Sequence, residues 1–496
     1  PDTVEIIVTA ENLTDTETYK VYVEAPPYDS ILNSLSFSSG TLSPSFAAGT
    51  FDYELDVTSS TGSVYLTPSI IHDGSAMIIV NAASLSTPDT IDSDSSTGPI
   101  PIVPGETSIT VKVEPYNSEA SSASSTYNIT VSRPGWMIVG ENTTISQGGV
   151  RYIDMAFDTD REIPYVAFTD SGYNGSDHQL AVLYYDSAAK EWKNSVDATQ
   201  PAVSGDFSSV ALAYNSFRQE FLLAGYNKIS DEIRSYSHST SNNSWNAHSL
   251  ITTGIDGCTN IDMQVAPSSN TPVVAYEDPK YSRRLTVKKY MTGWTVAGGS
   301  EGFTNGRVKD ISLSINSLDS FFVGYVEMTD NKPYAIKYNP LQQRWESLTG
   351  NSDISTAEVG IGLASNNSML HDSNNNLFSY VINDQKTVLE TNEWSGSSWV
   401  EMPGTFSGSA FNDVKGAADS QGNQYMAYIG SSDFIFVYKK STSGWTQIGG
   451  THTGYKINPV SDAHILSMAV DKSTDEVYVA FRHSADGKLS VIKWHE

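Results

Sequence analysis

Cysteine is almost absent from this chain of 496 residues, which contains only Cys258. An internal disulfide is therefore excluded, and the sequence leaves open whether Cys258 is a buried apolar side chain or an exposed thiol. Basic residues are also scarce, since 29 Lys and Arg stand against 57 Asp and Glu, for a formal net charge of −28. A field of this sign repels nucleic acid and anionic membranes, so we expect neither as a partner.

Long apolar runs are missing as well, and none approaches the roughly 18 residues of a membrane span, so we expect no membrane insertion. No signal peptide is visible at Pro1, which predicts a mature or trimmed chain. Ser, Thr, Asn, Gly and Tyr are abundant, as in many secreted β-proteins, which favours an extracellular or cell-surface location. Asn12, Asn128 and Asn142 open glycosylation triplets, but such triplets often arise by chance in this composition.

Signatures of catalysis and of metal binding are also missing. The nine histidines include no His-x-x-x-His pair, and no Cys-x-x-Cys, nucleophile elbow or phosphate-binding loop occurs. We therefore predict no catalytic residue, no metal and no cofactor, and we favour a binding protein over an enzyme. Residues 89–94 resemble a Ca²⁺ loop only weakly, because the glycine and the distal glutamate are missing.

What the chain does contain is a succession of short alternating or apolar runs bounded by Gly, Asn, Asp, Ser and Pro, with almost no helical spacing. This pattern predicts an all-β fold. The pattern changes near residue 134. We therefore predict a hairpin within 1–27, one module over 28–134 and a second module over 135–496.

The first module resembles a known domain. Leu35 and Phe37 alternate toward a core, Leu42 and Phe46 flank a Ser-Pro corner, and a hairpin that opens with glycine closes the module at 105–131. In this order the features resemble the cadherin-like β-sandwich that occurs in tandem in large bacterial surface proteins. The resemblance implies a spacer or adhesion module, although the acidic calcium motifs of true cadherins are not evident.

The beginning of the chain repeats part of this pattern. Residues 3–10 and 18–23 match the hairpin at 107–131 and resemble the last hairpin of another sandwich. An isolated hairpin is marginal in water. It is therefore either the remnant of a longer array or a pair of strands that adds to a neighbouring copy, which makes the chain itself a candidate partner through residues 3–23.

Tryptophan recurs in the second module at intervals of 46 to 54 residues, each time after a polar turn. The series is Trp192, Trp245, Trp294, Trp345, Trp399 and Trp445. A strand in which a small residue precedes an aromatic lies upstream of each, as in 164–168 and 272–276, and seven copies of this strand occur. Repetition of this kind predicts a seven-bladed β-propeller with four strands in each blade.

The seventh copy ends one strand short, while residues 135–140 at the start of the module read like 444–449. We therefore predict that residues 136–146 pair with the C-terminal strands and close the ring. The predicted fold is an Ig- or cadherin-like β-sandwich followed by a seven-bladed β-propeller. The repeats resemble the Pro-Tyr-Val-Ala-Tyr…Trp repeats of bacterial surface propellers of largely undefined function.

Aromatic and small polar residues in the loops of one propeller face are the candidate ligand-binding residues, because loops on rigid scaffolds carry function and such residues suit a sugar or a protein groove. They are Tyr173, Asn174, His178, Tyr281, Phe303, Phe406 and Tyr455. Packing between blades is the alternative for each aromatic. Asp154, Asp262 and Asp310 lie on or near inner strands and are candidate channel acids, with the capping of turn amides as the alternative.

These observations favour an extracellular adhesion or ligand-binding protein of a bacterial surface, with the propeller as recognition head, the sandwich as stalk, and a glycan or surface protein as partner. Two alternatives stay open. One is a structural subunit of a filament that assembles by β-strand addition. The other is a carbohydrate-active enzyme, a glycosidase or lyase, which would need a pair of carboxylates about 5–10 Å apart in a cleft.

Overall fold

The computed structural model describes the chain apart from residues 1, 12–13, 24–29, 72–75, 116–123, 174–177, 197–199, 240–243, 255, 361, 405, 409–410, 442–443, 450–452 and 458–464. The described residues form β-strands and three short 3₁₀ turns, at Pro279–Tyr281, Ile354–Thr356 and Ser431–Asp433. The predicted all-β fold is confirmed. No helix in this part of the chain has the length and apolar character of a membrane span.

Two compact units make up the chain. One comprises Pro1–Gly135 with His495–Glu496, and the other comprises Trp136–Trp494. The first begins with a two-stranded antiparallel sheet of β1 (Asp2–Thr9) and β2 (Thr16–Val23). Large apolar side chains of this hairpin are exposed, namely Val4, Ile6, Ile7, Val8, Tyr19, Val21 and Tyr22.

The remaining strands of the first unit form a β-sandwich. They are β3 (Ser34–Phe37), β4 (Thr41–Ser43), β5 (Asp52–Asp56), β6 (Ser63–Val64), β7 (Leu66–Ser69), β8 (Ala76–Ala82), β9 (Asp89–Ile91), β10 (Ile100–Pro101), β11 (Gly105–Pro115) and β12 (Ser125–Arg133). One sheet has the order β4-β5-β12-β11-β8-β9, and two strand pairs, β3-β7 and β6-β10, complete the sandwich. Strict alternation on β11 and β12 buries one face of the larger sheet, including Ile109, Val111 and Ile129.

The second unit consists of seven sheets in the described residues, and each has four main strands. Sheets 1 to 3 are β14 (Val150–Asp158), β15 (Ile163–Asp170), β16 (Gln179–Asp186) and β17 (Glu191–Asn194); β18 (Phe207–Asn215), β19 (Glu220–Asn227), β20 (Glu232–Ser239) and β21 (Asn246–Thr253); and β22 (Ile261–Val265), β23 (Pro272–Asp278), β24 (Arg284–Tyr290) and β25 (Trp294–Val296). Each sheet is antiparallel and follows chain order from its innermost strand outward.

Sheets 4 to 7 follow the same plan. They are β26 (Val308–Ile315), β27 (Phe321–Glu327), β28 (Lys332–Asn339) and β29 (Arg344–Ser347); β30 (Ala364–His371), β31 (Leu377–Asn383), β32 (Val388–Trp394) and β33 (Trp399–Glu401), with β34 (Phe406–Ser407) also paired to β32; β35 (Val414–Ala418), β36 (Gln424–Ile429), β37 (Ile435–Ser441) and β38 (Gly444–Gln447); and β39 (Leu466–Val470), β40 (Val477–Arg482) and β41 (Leu489–His495) with β13 (Gly135–Ile138). Sheet 7 thus takes its outermost strand from the start of the unit. Backbone bonds extend this pairing, from Val139 N to Val491 O (2.9 Å) and from Ile145 N to Leu489 O (2.8 Å).

The innermost strands pack side by side in chain order, from β14 through β18, β22, β26, β30 and β35 to β39, and β39 packs against β14. Hydrophobic clusters fill the spaces between successive sheets, as where Val166 and Phe168 of sheet 1 meet Ala480 and Val491 of sheet 7. Cys258 lies in one of these clusters and is fully buried. Burial raises the pKa of its thiol well above the ordinary value, so this cysteine is a packed apolar side chain.

Repeated tryptophans link most of the sheets to the one before. Six of them donate an indole Nε1 hydrogen bond to a residue of the preceding sheet: Trp136 to Ile448 O, Trp192 to Val139 O, Trp245 to Ser195 Oγ, Trp294 to Ser235 Oγ, Trp345 to Ala297 O and Trp445 to Thr391 Oγ1. The junction between two neighbouring sheets is called a seam. Glycine makes room for the indole ring at several of these seams. A Cβ on Gly298, which has a φ of +101°, would lie 2.3 Å from Trp345 Cδ1.

Candidate functional sites

A cavity of about 540 Å³ lies along the innermost strands and is lined by residues of all seven sheets. Seven of the lining residues share one register, because each is the cross-strand partner of the small residue that precedes the repeated aromatic. They are Asp154, Val210, Asp262, Ser312, Met369, Lys415 and Ser467. Two of the three predicted channel acids are therefore at equivalent positions on this cavity.

Asp154 and Asp262 also join neighbouring sheets. Asp154 Oδ2 accepts the backbone N–H of Leu212 at 2.7 Å, and Asp262 Oδ2 accepts that of Leu313 at 2.6 Å. Ser467 makes a similar contact between sheets 7 and 1, because its Oγ accepts the backbone N–H of Met155 at 3.1 Å. Polar side chains thus supply the hydrogen bonds that the innermost strands of adjacent sheets do not make through their backbones.

Burial governs the charge of these acids. It raises the pKa of Asp154 to about 7, the negative charge of Asp262 adds to the rise, and the Leu212 amide and Lys415 oppose it. Burial raises the pKa of Asp262 as well, against the Leu313 amide and Lys415. Near neutral pH the carboxyl of Asp154 is therefore partly protonated.

Asp310, the third predicted acid, lies on β26 two residues before Ser312, the residue of β26 at the shared position. Its Oδ1 accepts a hydrogen bond from Asn366 Nδ2 at 3.2 Å, and the same amide reaches Asp413 Oδ1 at 3.4 Å. Burial raises the pKa of Asp310 to about 6, Asp413 adds to the rise, and Lys309 and Lys415 oppose it. Among the described residues, no group of three or more His, Cys, Asp or Glu side chains is placed to hold a metal ion.

Two of the predicted loop residues lie in sheet 1. The ring of Tyr173 packs against an inter-sheet cluster, its hydroxyl accepts from Asn194 Nδ2 at 3.0 Å, and burial raises its pKa to about 12. His178 lines a pocket of about 380 Å³ together with Arg151 and Lys228. Burial, then the charges of Arg151 and Lys228, lower the pKa of its imidazole. Asn174 lies outside the described residues.

The other predicted aromatics are dispersed. Phe303 stacks on Trp345 at 5.6 Å between sheets 3 and 4, Phe406 packs edge-on against Tyr438, and Tyr455 packs against the cluster between sheets 6 and 7. Tyr281 is 36% exposed and donates its hydroxyl to Glu301 Oε2 at 2.7 Å. The structure therefore distributes these side chains over several seams and does not bring them into a common cleft.

A different pocket opens between sheets 4 and 5. Its volume is about 370 Å³, which falls in the range of small-ligand sites. Its walls combine two indoles with polar side chains and include Ser347, Thr349, Glu358, Gly360, Glu390, Asn392, Trp394, Trp399 and Glu401. Trp394 and Trp399 meet edge to face with ring centroids 5.5 Å apart.

At the junction between sheets 4 and 5, where this pocket lies, the repeated tryptophan lacks the indole hydrogen bond that the other repeated tryptophans make. Trp399 occupies the repeat position, yet its Nε1 makes no hydrogen bond to the described residues. A Cβ on Gly350, which follows β29, would have only Glu346 within 4 Å, whereas a Cβ on Gly298 would clash with Trp345. The indole of Trp399 packs against the hydrophobic cluster between sheets 4 and 5, but it forms one wall of an open pocket there.

Asn392 forms the inner wall of the pocket. It is 3% exposed, and its Nδ2 has no hydrogen-bond partner in the described part of the chain. A Cβ on Gly360 would lie 2.4 Å from Glu390 Oε2 and 3.6 Å from Asn392 Nδ2. The absence of a side chain at Gly360 therefore keeps this wall open.

Sequence reasoning did not find this site. In the sequence Trp399 is visible only as a member of the tryptophan repeat. Asn392 lies on the third strand of its sheet, whereas the pattern that repeats most clearly in the sequence belongs to the second strands. Aligning the third strands would have set Asn392 against valine in four other sheets, a signal that a polar residue occupies a core position.

Several solved structures are similar to this chain at low identity. An ulvan lyase, a polysaccharide lyase bound to -[GlcA(1-4)Rha3S]-, is 11% identical, with 71% of this chain and 94% of the other covered and a TM-score of 0.46. A variant of the Aleuria aurantia lectin in complex with Fucα1-6GlcNAc is 11% identical, with 66% and 100% covered and a TM-score of 0.41. An auxiliary nutrient-binding protein from Bacteroides thetaiotaomicron is 8% identical, with 95% and 99% covered and a TM-score of 0.39. These TM-scores are too low to support an argument about function.

No curated protein sequence matches the chain. A family model does match part of it, over residues 32–134, and that family is the cadherin-like beta sandwich domain. The match covers the strands from β3 to β12 that form the sandwich. The predicted resemblance is confirmed, and this part of the chain is a cadherin-like β-sandwich.

Proposed function

We propose that this chain is an extracellular glycan-binding protein of a bacterial surface. In this proposal the second unit is a seven-bladed β-propeller that acts as the recognition head, and the cadherin-like sandwich is part of the stalk. The observation that carries the proposal is the pocket between sheets 4 and 5, where two indoles, a buried amide and carboxylates surround a space of small-ligand size.

The propeller is supported by the order of the sheets. Seven antiparallel sheets have their innermost strands side by side, and the strand of sheet 7 packs against that of sheet 1. The addition of β13 to β41 is the arrangement expected of a ring that is closed by strands from both ends of the unit. The seven-residue register around the axial cavity fits the same arrangement.

Glycan is supported as the ligand by the chemistry of the pocket. Saccharides present C–H faces that pack on indole rings and hydroxyl groups that both donate and accept hydrogen bonds. The walls offer Trp394 and Trp399 for the first, and Asn392 with the glutamates for the second. A bacterial surface location is supported by the cadherin-like domain and by the net charge of −28, which favours solubility outside the cell over binding to nucleic acid.

Binding of the full chain to an array of bacterial, algal and host glycans tests the proposal. We expect a defined set of glycans to be retained and Trp394→Ala to weaken that binding at least about tenfold, since it removes one aromatic wall of the pocket. Leu341→Ala, at a side chain that is 95% exposed, is the control and should bind as the unchanged protein does. An array without any retained glycan would refute glycan binding.

The same panel tests the carbohydrate-active alternative. Acid–base cleavage of a glycosidic bond uses a pair of carboxyl groups, and Asp154, whose pKa burial raises to about 7, lines the axial cavity together with Asp262. Both carboxylates are already engaged by backbone amides, which favours a structural role for them. Cleavage products that disappear in Asp154→Asn would favour the enzyme instead.

A further inference from the structure

Hydrogen-bonding groups on the walls of the pocket between sheets 4 and 5 point to the class of saccharide that fits. Two N–H donors there have no partner among the described residues. One is Nδ2 of Asn392, which is 3% exposed, and the other is Nε1 of the partly buried Trp399. Asn392 Nδ2 is buried, and a buried donor without an acceptor is costly, so this position calls for a ligand oxygen atom that accepts a hydrogen bond. The more accessible Trp399 Nε1 can donate to a second oxygen atom of the same ligand.

Asn392 is also a polar residue at a position that is apolar in most of the other sheets. In every sheet, the third-strand partner of the small residue before the repeated aromatic occupies one register. In the other six sheets this partner is Val182, Arg234, Val287, Ala335, Val437 or Val491. Five of the six are apolar, so the register accepts a valine without strain and the amide of Asn392 is not required by the fold.

The charge of the walls excludes one class of ligand. Glu358, Glu390 and Glu401 line the pocket, and its described lining contains no lysine, arginine or histidine. Lys332 pairs with one of these carboxylates, since its Nζ lies 2.6 Å from Glu358 Oε1. Carboxylates accept hydrogen bonds from hydroxyl groups but repel the carboxylates and sulfates of acidic sugars.

We propose that this pocket binds one neutral saccharide unit, whose oxygen atoms accept from Asn392 Nδ2 and Trp399 Nε1 while its hydroxyl groups donate to the glutamates. The inference rests on the proposed glycan binding and adds the class of sugar. In the described part of the chain the other six tryptophans at repeat positions donate a hydrogen bond to the preceding sheet, so we expect one such site per chain.

Calorimetric titration of the full chain tests the inference. The probes are galactose, fucose and N-acetylglucosamine as neutral sugars, galacturonic acid and galactose 6-sulfate as acidic ones, and choline as a cation that could occupy an aromatic cage. We expect at least one neutral sugar to bind with a stoichiometry of one, at least about tenfold more tightly than its acidic counterpart. We expect choline to bind more weakly than the neutral sugar, because its quaternary ammonium group cannot accept a hydrogen bond from Asn392 Nδ2.

Asn392→Val is the decisive variant, since it restores the residue found at this register in four other sheets. It removes the unpaired donor, so we expect the midpoint of thermal unfolding to stay the same or to rise while affinity for the neutral sugar falls at least about tenfold. Asn246→Val makes the same chemical change at an exposed position of β21 and should alter neither. Trp399→Phe keeps the ring, loses the Nε1 donor and should weaken binding severalfold.

The outcomes separate the two proposals. Failure of every sugar, on the titration and on the glycan array, would overturn the proposed function itself. Binding of the acidic sugars or of choline in preference to the neutral ones would overturn only the inferred ligand class. Neutral sugars that bind equally well to Asn392→Val would overturn the assignment of the site while leaving glycan binding in place.

Discussion

Asp154 combines a structural role with an unusual charge. Its carboxylate holds the N–H of Leu212 on the neighbouring sheet, and burial raises its pKa to about 7. In the unfolded chain the pKa would be about 4. Between these two values only the folded chain binds the proton. Its stabilising contribution is therefore complete below about pH 4 and is lost as the pH rises to about 7.

Asp154→Asn should remove this pH dependence. The amide oxygen can still accept from Leu212 N, and no charge is buried at alkaline pH. We expect the fall in unfolding temperature between pH 5 and pH 8 to be smaller in the variant than in the unchanged protein. Circular dichroism at both pH values measures it. Asp56→Asn, at an exposed carboxylate of β5, serves as the control, and an equal change in both variants would contradict the expectation.

At the scale of the element, the seams between sheets are not equivalent. Trp345 is 5% exposed and donates to Ala297 O at 2.7 Å, whereas Trp399 makes no such bond to the described residues. The same side chain at the same repeat position therefore contributes differently to stability. The difference follows from the open pocket at the seam between sheets 4 and 5.

Trp345→Phe should destabilise the second unit more than Trp399→Phe does. The first change leaves the Ala297 carbonyl buried without a partner, at a cost of about 1–3 kcal/mol. The second loses no intramolecular hydrogen bond. Urea denaturation followed by tyrosine and tryptophan fluorescence gives both free energies of unfolding. Equal losses would mean that the Nε1 bonds do not fasten the sheets.

Much at this scale could be predicted from the sequence. The repeated pattern of a small residue before an aromatic predicted strands at 164–168 and 272–276, and the structure has β15 and β23 there. The repeat records the packing that most seams between sheets have in common, so it predicts strands well. A binding site is a departure from the repeat. The amide of Asn392 and the missing hydrogen bond of Trp399 each occur in one sheet. A pattern that is defined by what all the copies have in common therefore does not reveal them.

The loop aromatics illustrate the converse problem. A phenylalanine between two strands can face a ligand or turn back into the seam, and local sequence does not distinguish the two. The ring of Phe303 stacks on Trp345 because a neighbouring sheet presents an indole there, which is a contact between residues 42 positions apart. Such long-range partners fix the direction of a side chain, and they become visible only in the folded structure.

At the scale of the whole molecule, the N-terminal hairpin is the feature least explained by its surroundings. The side chains of Ile7, Val8 and Tyr22 are all more than half exposed, at 62%, 53% and 69%. Apolar strands exposed in this way favour contact with another sheet. The hairpin is therefore the part of the chain on which the filament alternative depends.

Size-exclusion chromatography with light scattering on the full chain and on residues 28–496 distinguishes the alternatives. If the hairpin adds strands to a neighbouring copy, the full chain forms polymers that grow with concentration, and the shortened chain is monomeric. We expect monomers in both samples, because the proposed function needs a recognition head and no self-assembly. Polymers that disappear on shortening would favour the structural subunit.

The position of β13 has a mechanical consequence. The polypeptide enters the second unit through the outermost strand of sheet 7 and leaves it through the adjacent strand β41. Tension that reaches the unit through Gly135 is therefore borne first by the hydrogen bonds between β13 and β41, including the bond from Val139 N to Val491 O. The pocket is lined by residues of sheets 4 and 5 and their loops, and sheet 6 lies between them and sheet 7 in the order of the sheets. A pull on the chain would therefore begin to peel open a sheet that contributes nothing to the walls of the pocket.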